Sequence, residues 1–255
     1  MKDKKGLIIG LAAAFLITVS QAYGIGKMVL LDELYEKAEI GRYLQWIRSS
    51  MQLSAADYAL ASDELDAFNQ VVKVRYRANF FKTSMMNTLD EALTVKELLE
   101  LVAWYDSPLG QKIQRLEADF NNPANTSKVQ AYINERLSKE LPRSSRTDLI
   151  EELMEVLDVV EHGTDLAASA SVGGLRMLKE VMPTLNGIIL PQSHILMERE
   201  KAIIRRTMAE RMKDITFYTY RGLSDQEVRR YIDFSGGMAM QNLQRGQVQA
   251  IKNIL

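Results

Sequence analysis

The two histidines are the first residues to weigh for chemistry. His162 follows Asp158 by four residues and stands beside Glu161 and Asp165, and His194 precedes Glu198 by four. On a helix an i, i+4 pair shares one face, as a metal site requires. Each pair is half a ligand set, and the two fall on separate stretches of the chain. A surface histidine beside an acid is the better reading, so no metal ligand is expected. Cysteine is absent, which excludes disulfides, thiolate nucleophiles, zinc–thiolate sites, iron–sulfur clusters and an acylated-cysteine anchor. No Ser, Lys or acid stands in a motif that supplies a base and an oxyanion hole. Carboxylate pairs of the glycosidase kind meet only in the fold and stay open. The expectation is no catalytic residue and no cofactor, with the balance leaning away from an enzyme.

Two further patterns bear on binding. The run from Met197 to Lys213 is basic and could address an anionic lipid or polymer, but Glu198, Glu200 and Glu210 are interleaved and Arg206 and Glu210 stand at i, i+4. That describes a solvated helix face. Thirteen methionines supply adaptable packing, which suits either a core or a permissive groove.

The elements that must position such residues are helices. Glycine and proline are scarce at 14 and 5 of 255 residues, and the abundant Ala, Leu, Glu, Lys, Arg, Met and Gln lose little rotamer freedom in a helix. Apolar residues recur at three-and-four spacing from Met28 to Met51. Ser62-Asp63-Glu64 opens a second helix with a capping hydroxyl, and Leu65, Phe68, Val72, Tyr76 and Phe80 form its apolar face. The strand-like stretches Val71–Tyr76 and Ile215–Tyr220 each lie on a longer helical face, so helix is predicted for both. Asn121-Asn122-Pro123 and Leu141-Pro142 break the chain, and Thr126 to Glu140 reads as a short helix between them. A helix opening at Ser145 is predicted to close at Gly163. Another runs from Thr164 to Val181, weakened by Gly173-Gly174, and a long one from about Ser193 to Arg221. The fold class expected is all-α.

The first residues address the compartment. Met1 to Lys5 is a basic start, Gly6 to Val19 is uncharged and mostly apolar, and Ser20-Gln21-Ala22 places small residues before a cleavage site. This is the layout of a secretory signal over residues 1–22; an uncleaved anchor is the alternative, although the apolar run falls short of a span. Cleavage would leave 29 basic and 32 acidic side chains. An exported, near-neutral protein is a poor candidate for nucleic acid, which demands phosphate neutralisation. A membrane partner is expected only if the N-terminal segment is retained.

Two places in the chain share one construction. Leu93-Thr94-Val95-Lys96-Glu97-Leu98 and Leu223-Ser224-Asp225-Gln226-Glu227-Val228 each combine a hydroxyl N-cap, a Glu three residues on and a flanking apolar pair, which is a capping box with a hydrophobic staple. In register, Trp104 meets Phe234, and Gln111, Gln114 and Arg115 meet Gln241, Gln244 and Arg245. Two divergent repeats are expected, residues 23–143 and 144–255, although well-capped amphipathic helices resemble one another in any case.

The segment around Ala103-Trp104-Tyr105-Asp106-Ser107-Pro108-Leu109-Gly110-Gln111-Lys112 resembles the signature of a helical domain family of unknown function from exported proteins of Gram-negative bacteria. The resemblance implies a marker rather than a chemistry. The second half departs from it, with Ser235-Gly236-Gly237-Met238-Ala239-Met240 in the matching place. Physically, Ser107 can cap the following helix, Pro108 suits its first position, and Gly110 permits close helix approach. Trp104, Tyr105, Ser107, Pro108 and Gly110 therefore read as structural, with a ligand-facing Trp104/Tyr105 pair as the alternative.

These observations favour a periplasmic or envelope protein that acts by contact with another protein or a small ligand. An enzyme without a motif and an accessory factor of membrane or cell wall are the alternatives. A deep apolar pocket with convergent polar groups would favour the small ligand, and paired buried carboxylates the enzyme.

Overall fold

The computed structural model describes residues 26–56, 60–137, 144–182 and 193–255. The expected signal segment 1–22 and the expected junction at Leu141-Pro142 lie outside these. The described residues are all-α and contain no strand. We label the helices α1 (26–37), α2 (Arg42–Ala56), α3 (Ser62–Arg75), α4 (Ala78–Ala92), α5 (Val95–Asp106), α6 (Pro108–Asn121), α7 (Thr126–Tyr132), α8 (Ser144–Val156), α9 (Val159–Val181), α10 (Ser193–Thr219), α11 (Asp225–Ser235) and α12 (Met238–Ile254). A 3-10 turn, Pro123–Asn125, precedes α7, and a π turn, Ile133–Leu137, follows it.

Both capping boxes form. Thr94 Oγ1 accepts from the Glu97 amide at 3.3 Å while Glu97 Oε2 accepts from the Thr94 amide at 2.7 Å. Ser224 and Glu227 repeat the exchange at 3.3 and 2.8 Å. The staple residues Leu93, Leu98, Leu223 and Val228 are all buried, so each helix start is tied to the core as well as capped. At the α5–α6 turn Ser107 Oγ accepts from the Gly110 amide at 3.0 Å and Pro108 occupies the first turn. A Cβ on Gly110 would fall 2.1 Å from the Trp104 carbonyl oxygen; only glycine fits.

Packing across the molecule is reciprocal. α12 lies along α4, and the end of α10 along α6. Lys112 Nζ donates to both oxygens of Glu227, at 2.8 and 2.9 Å, and Asn242 Nδ2 donates to Glu97 Oε1 at 2.6 Å. Lys112 and Asn242 are 130 residues apart, as are Glu97 and Glu227. Gly246 abuts Leu89 and Ala92 while Gly222 abuts Leu116, an exchange at the same interval. Trp104 and Phe234, matched in the sequence register, stack on each other at 4.0 Å between ring centroids and 7° between planes. The remaining helices wrap this centre: α9 packs on α2, α3 and α10, and α8 on α11.

The structure corrects four expectations. The periodic stretch Met28 to Met51 is two helices, because Glu39 takes a left-handed φ of 49° and turns the chain. Ser62 lies inside α3 rather than at its cap; the cap residue is Ala61, whose amide donates to Glu64 Oε2 at 2.9 Å. Phe68, Val72 and Tyr76 are buried as expected, but α3 ends at Arg75, so Phe80 falls in the first turn of α4 and is 50% exposed, while Leu65 lies at the edge at 36%. Gly163 closes no helix. The break falls at Asp158, with φ 48°, a conformation that an Asp tolerates. α9 then runs unbroken through Gly163, Gly173 and Gly174. Gly163 lies instead against Met208 of α10, and Gly173 against Met51 and Leu255; these glycines serve close packing.

Candidate functional site

α6 carries Leu109 and Ile113 on its buried stripe, and the next position on that stripe, four residues on, is Glu117. A carboxylate there is held at the edge of the core rather than in bulk water. α12 does the same with Leu243, Gln247 and Ile251, where Gln247 is buried. Glu117 and Gln247 face one cleft of about 400 Å³, which Tyr43 of α2, Tyr105 of α5, Tyr220 at the end of α10 and Tyr231 of α11 also line. Apolar side chains, among them Leu157, Leu166, Met212, Ile215 and Met240, complete the wall. The volume lies within the range of small-molecule sites.

The polar end is a single cluster. Tyr220 Oη donates to Glu117 Oε1 at 2.8 Å and Tyr231 Oη donates to the same oxygen at 3.2 Å. The two rings meet edge to face at 5.7 Å. Burial pushes the Glu117 carboxyl above its ordinary range, and the two phenol hydrogen bonds and the Arg42 charge oppose that rise. Burial, with the Glu117 charge second, pushes Tyr43 up to about 12 and raises Tyr105 further. Tyr220 and Tyr231 are likewise well above the ordinary phenol value, chiefly through burial. All four therefore stay protonated at neutral pH and can donate. Gln244 also lines the cleft, and its buried Oε1 has no hydrogen-bond partner among the described residues.

The structure separates the signature residues. Trp104 is half-buried against the core, stacked on Phe234 and 6.0 Å from Tyr231 at 13°. Tyr105, its neighbour, lines the cleft. Ser107, Pro108 and Gly110 build the turn that sets the direction of α6, and hence where Glu117 points. His162 lines the cleft too, with Nε2 3.7 Å from Asp158 Oδ2. Among the described residues no group of three or more His, Cys, Asp or Glu could hold a metal. The side chains of His194 and Glu198 lie outside what the structure describes.

In the basic run of α10, Lys201 pairs with Asp165, Arg205 with Glu161 and Lys213 with Glu151. Those cations tie α10 to α8 and α9. No helix among the described residues is long and apolar enough to cross a membrane.

Sequence reasoning passed over Glu117, Tyr43, Tyr220 and Tyr231. A signal existed for two cleft residues: Glu117 and Gln247 are polar residues on otherwise apolar helical stripes. The tyrosines come from helices whose order in the chain says nothing of their convergence.

Residues 80–139 match a protein family described as an uncharacterized protein conserved in bacteria (DUF2059). The match spans most of α4 and all of α5, α6 and α7, and so includes the Trp104 turn, Tyr105 and Glu117. No curated protein and no solved structure is significantly similar to the chain.

Proposed function

We propose that this chain is an exported envelope protein that binds a small, mostly apolar ligand in the cleft between α6 and α12, without transforming it. The observation that carries the reading is a cleft of about 400 Å³ in which Glu117, held by the Tyr220 and Tyr231 hydroxyls, and the side chains of Tyr43 and Tyr105 share the wall with apolar residues. An apolar body with few fixed polar groups is how small-ligand sites combine affinity with orientation. Tyr43 and Tyr105 strengthen it, since they add two further protonated phenols to the same wall. Gln244 adds an acceptor without a partner among the described residues in the same wall, and buried polar atoms without partners call for an explanation.

Export rests on the basic, apolar and small-residue segments of residues 1–22. The reading of two divergent copies rests on the reciprocal contacts of Lys112 with Glu227 and Asn242 with Glu97, which set the last helix of each copy against the other. In this reading the ancestral unit corresponds to α4 to α6, Trp104 to Gly110 is its marker, and the cleft lies where the two copies meet, with Glu117 from one and Gln247 from the other.

The test is direct. The chain is expressed in a Gram-negative host and recovered from the periplasmic fraction, and its N-terminus is read by mass spectrometry. Protein purified without detergent is then denatured and extracted into organic solvent. A compound enriched over extracts of a variant with the cleft filled, Ala38→Trp, supports the reading. Retention in the cytoplasm would remove export, and identical extracts would remove the ligand.

A further inference from the structure

Resting on that small-ligand reading, we infer that the cleft selects an amphiphile with a positively charged ammonium head, seated between Glu117 and the tyrosines. Charge balance in a poorly hydrated place favours a cation. Glu117 is the carboxylate of the cleft wall, and no Lys or Arg lines it among the described residues. Arg42 lies near enough to favour the charged carboxylate, but it is exposed and paired with Glu39. His162 is the titratable nitrogen of the wall among the described residues, and its Nε2 lies 3.7 Å from Asp158 Oδ2. A carboxylate taken from water with so little compensation attracts a cation strongly, because the low surrounding dielectric screens the pair less than water does.

The tyrosines act in the same direction. Tyr220 and Tyr231 both commit their protons to Glu117 Oε1, so neither phenol neutralises Oε2. Their phenol oxygens keep lone pairs, and these two aromatic side chains line the space together with those of Tyr43 and Tyr105. Aromatic walls around a carboxylate are the arrangement that recognises alkylated ammonium groups, since the ring quadrupole attracts a diffuse positive charge that is itself weakly hydrated. An anionic head would meet Glu117 with like charge. The apolar wall of Leu157, Leu166, Met212, Ile215 and Met240 covers the ligand's hydrocarbon body.

The experiment compares three probes of one chain length below their micellisation limits: decyltrimethylammonium, decanol and decanoate. Isothermal titration calorimetry is run on the purified chain and on Glu117→Gln, which keeps the shape of the side chain and an oxygen for the two phenols. The inference expects the cation to bind the parent more tightly than either other probe. Glu117→Gln should weaken the cation by at least about tenfold and leave decanol unchanged. Tyr105→Leu, which removes a ring without touching Glu117, should weaken the cation more than decanol. It also keeps the test alive if Glu117→Gln fails to fold, as judged by circular dichroism. Decanol or decanoate binding as tightly as the cation would overturn the inference while the small-ligand reading stands, as would a cation affinity indifferent to both substitutions. Binding of none of the three would overturn both.

Discussion

Replacing Trp104 with alanine tests the centre of the molecule. The indole stacks face to face on Phe234 at 4.0 Å and lies 6.0 Å from the Tyr231 ring, in a nearly parallel plane. A fully buried tryptophan costs about 3–5 kcal/mol on truncation. Trp104 is only half-buried, so its smaller lost area brings the expected cost to about 2–3 kcal/mol. In a chain of this length each kcal/mol moves the melting midpoint by about 2–4 °C, which predicts a fall of about 4–12 °C. The stack itself is separable. Phe234→Ala and the double variant complete a cycle whose coupling should be about 0.5–1.5 kcal/mol, the share of a ring pair beyond its buried area. Melts followed by far-ultraviolet circular dichroism, with urea titrations for the cycle, provide the measurement. A Trp104→Ala variant that melts with the parent, or losses that simply add, would refute the stacking argument and return Trp104 to the candidates for ligand contact.

Gly110→Ala should destabilise by about 1–3 kcal/mol, since the new methyl meets the Trp104 main-chain oxygen rather than a side chain that can swing away; a neutral melt would mean the α5–α6 turn is looser than described. Pro108→Ala should cost only about 0.4–1 kcal/mol through the added freedom of the unfolded chain, and urea midpoints will show whether it ranks below Gly110→Ala. Burial raises the folded-state value of Glu117 above its ordinary 4.5, so the folded chain holds that proton more tightly than the unfolded one. The associated stability is complete below the ordinary value and is lost as pH rises through the folded value. Glu117→Gln should flatten that part of the stability–pH profile, and parallel profiles would contradict the burial argument. Glu227 is lowered to about 2, first by the Lys112 hydrogen bond and then by the Ser224 amide. Its contribution is present above the ordinary value and disappears as pH falls toward 2. Lys112→Met should raise the Glu227 titration seen by carboxyl-carbon NMR, with a modest loss of stability because water still reaches the half-buried pair.

The local features of the fold were readable because they are local. Thr94 with Glu97, Ser224 with Glu227, and Ser107 with Pro108 and Gly110 settle their hydrogen bonds within a few residues, so their types and spacing state the geometry outright. The breaks at Glu39 and Asp158 were not readable. Each places a non-glycine residue at positive φ, at a local cost that only the surrounding packing offsets. Gly163 illustrates the converse: a glycine that looks like a helix stop is tolerated mid-helix because Met208 packs against it.

The site divides in the same way. Sequence by itself determined the helical class, the capped starts of α5 and α11, the turn that aims α6, and the interruption of two apolar stripes by Glu117 and Gln247. Tertiary structure alone decided that those interruptions face one cleft, that Tyr105 turns into it while Trp104 stacks against Phe234, and that Tyr43, Tyr220 and Tyr231 arrive from three other helices. The physical reason is range. A cap or a turn is closed by bonds between near neighbours in the chain, whereas the surroundings of Glu117 are set by how several helices exclude water together, and no spacing along the chain encodes that.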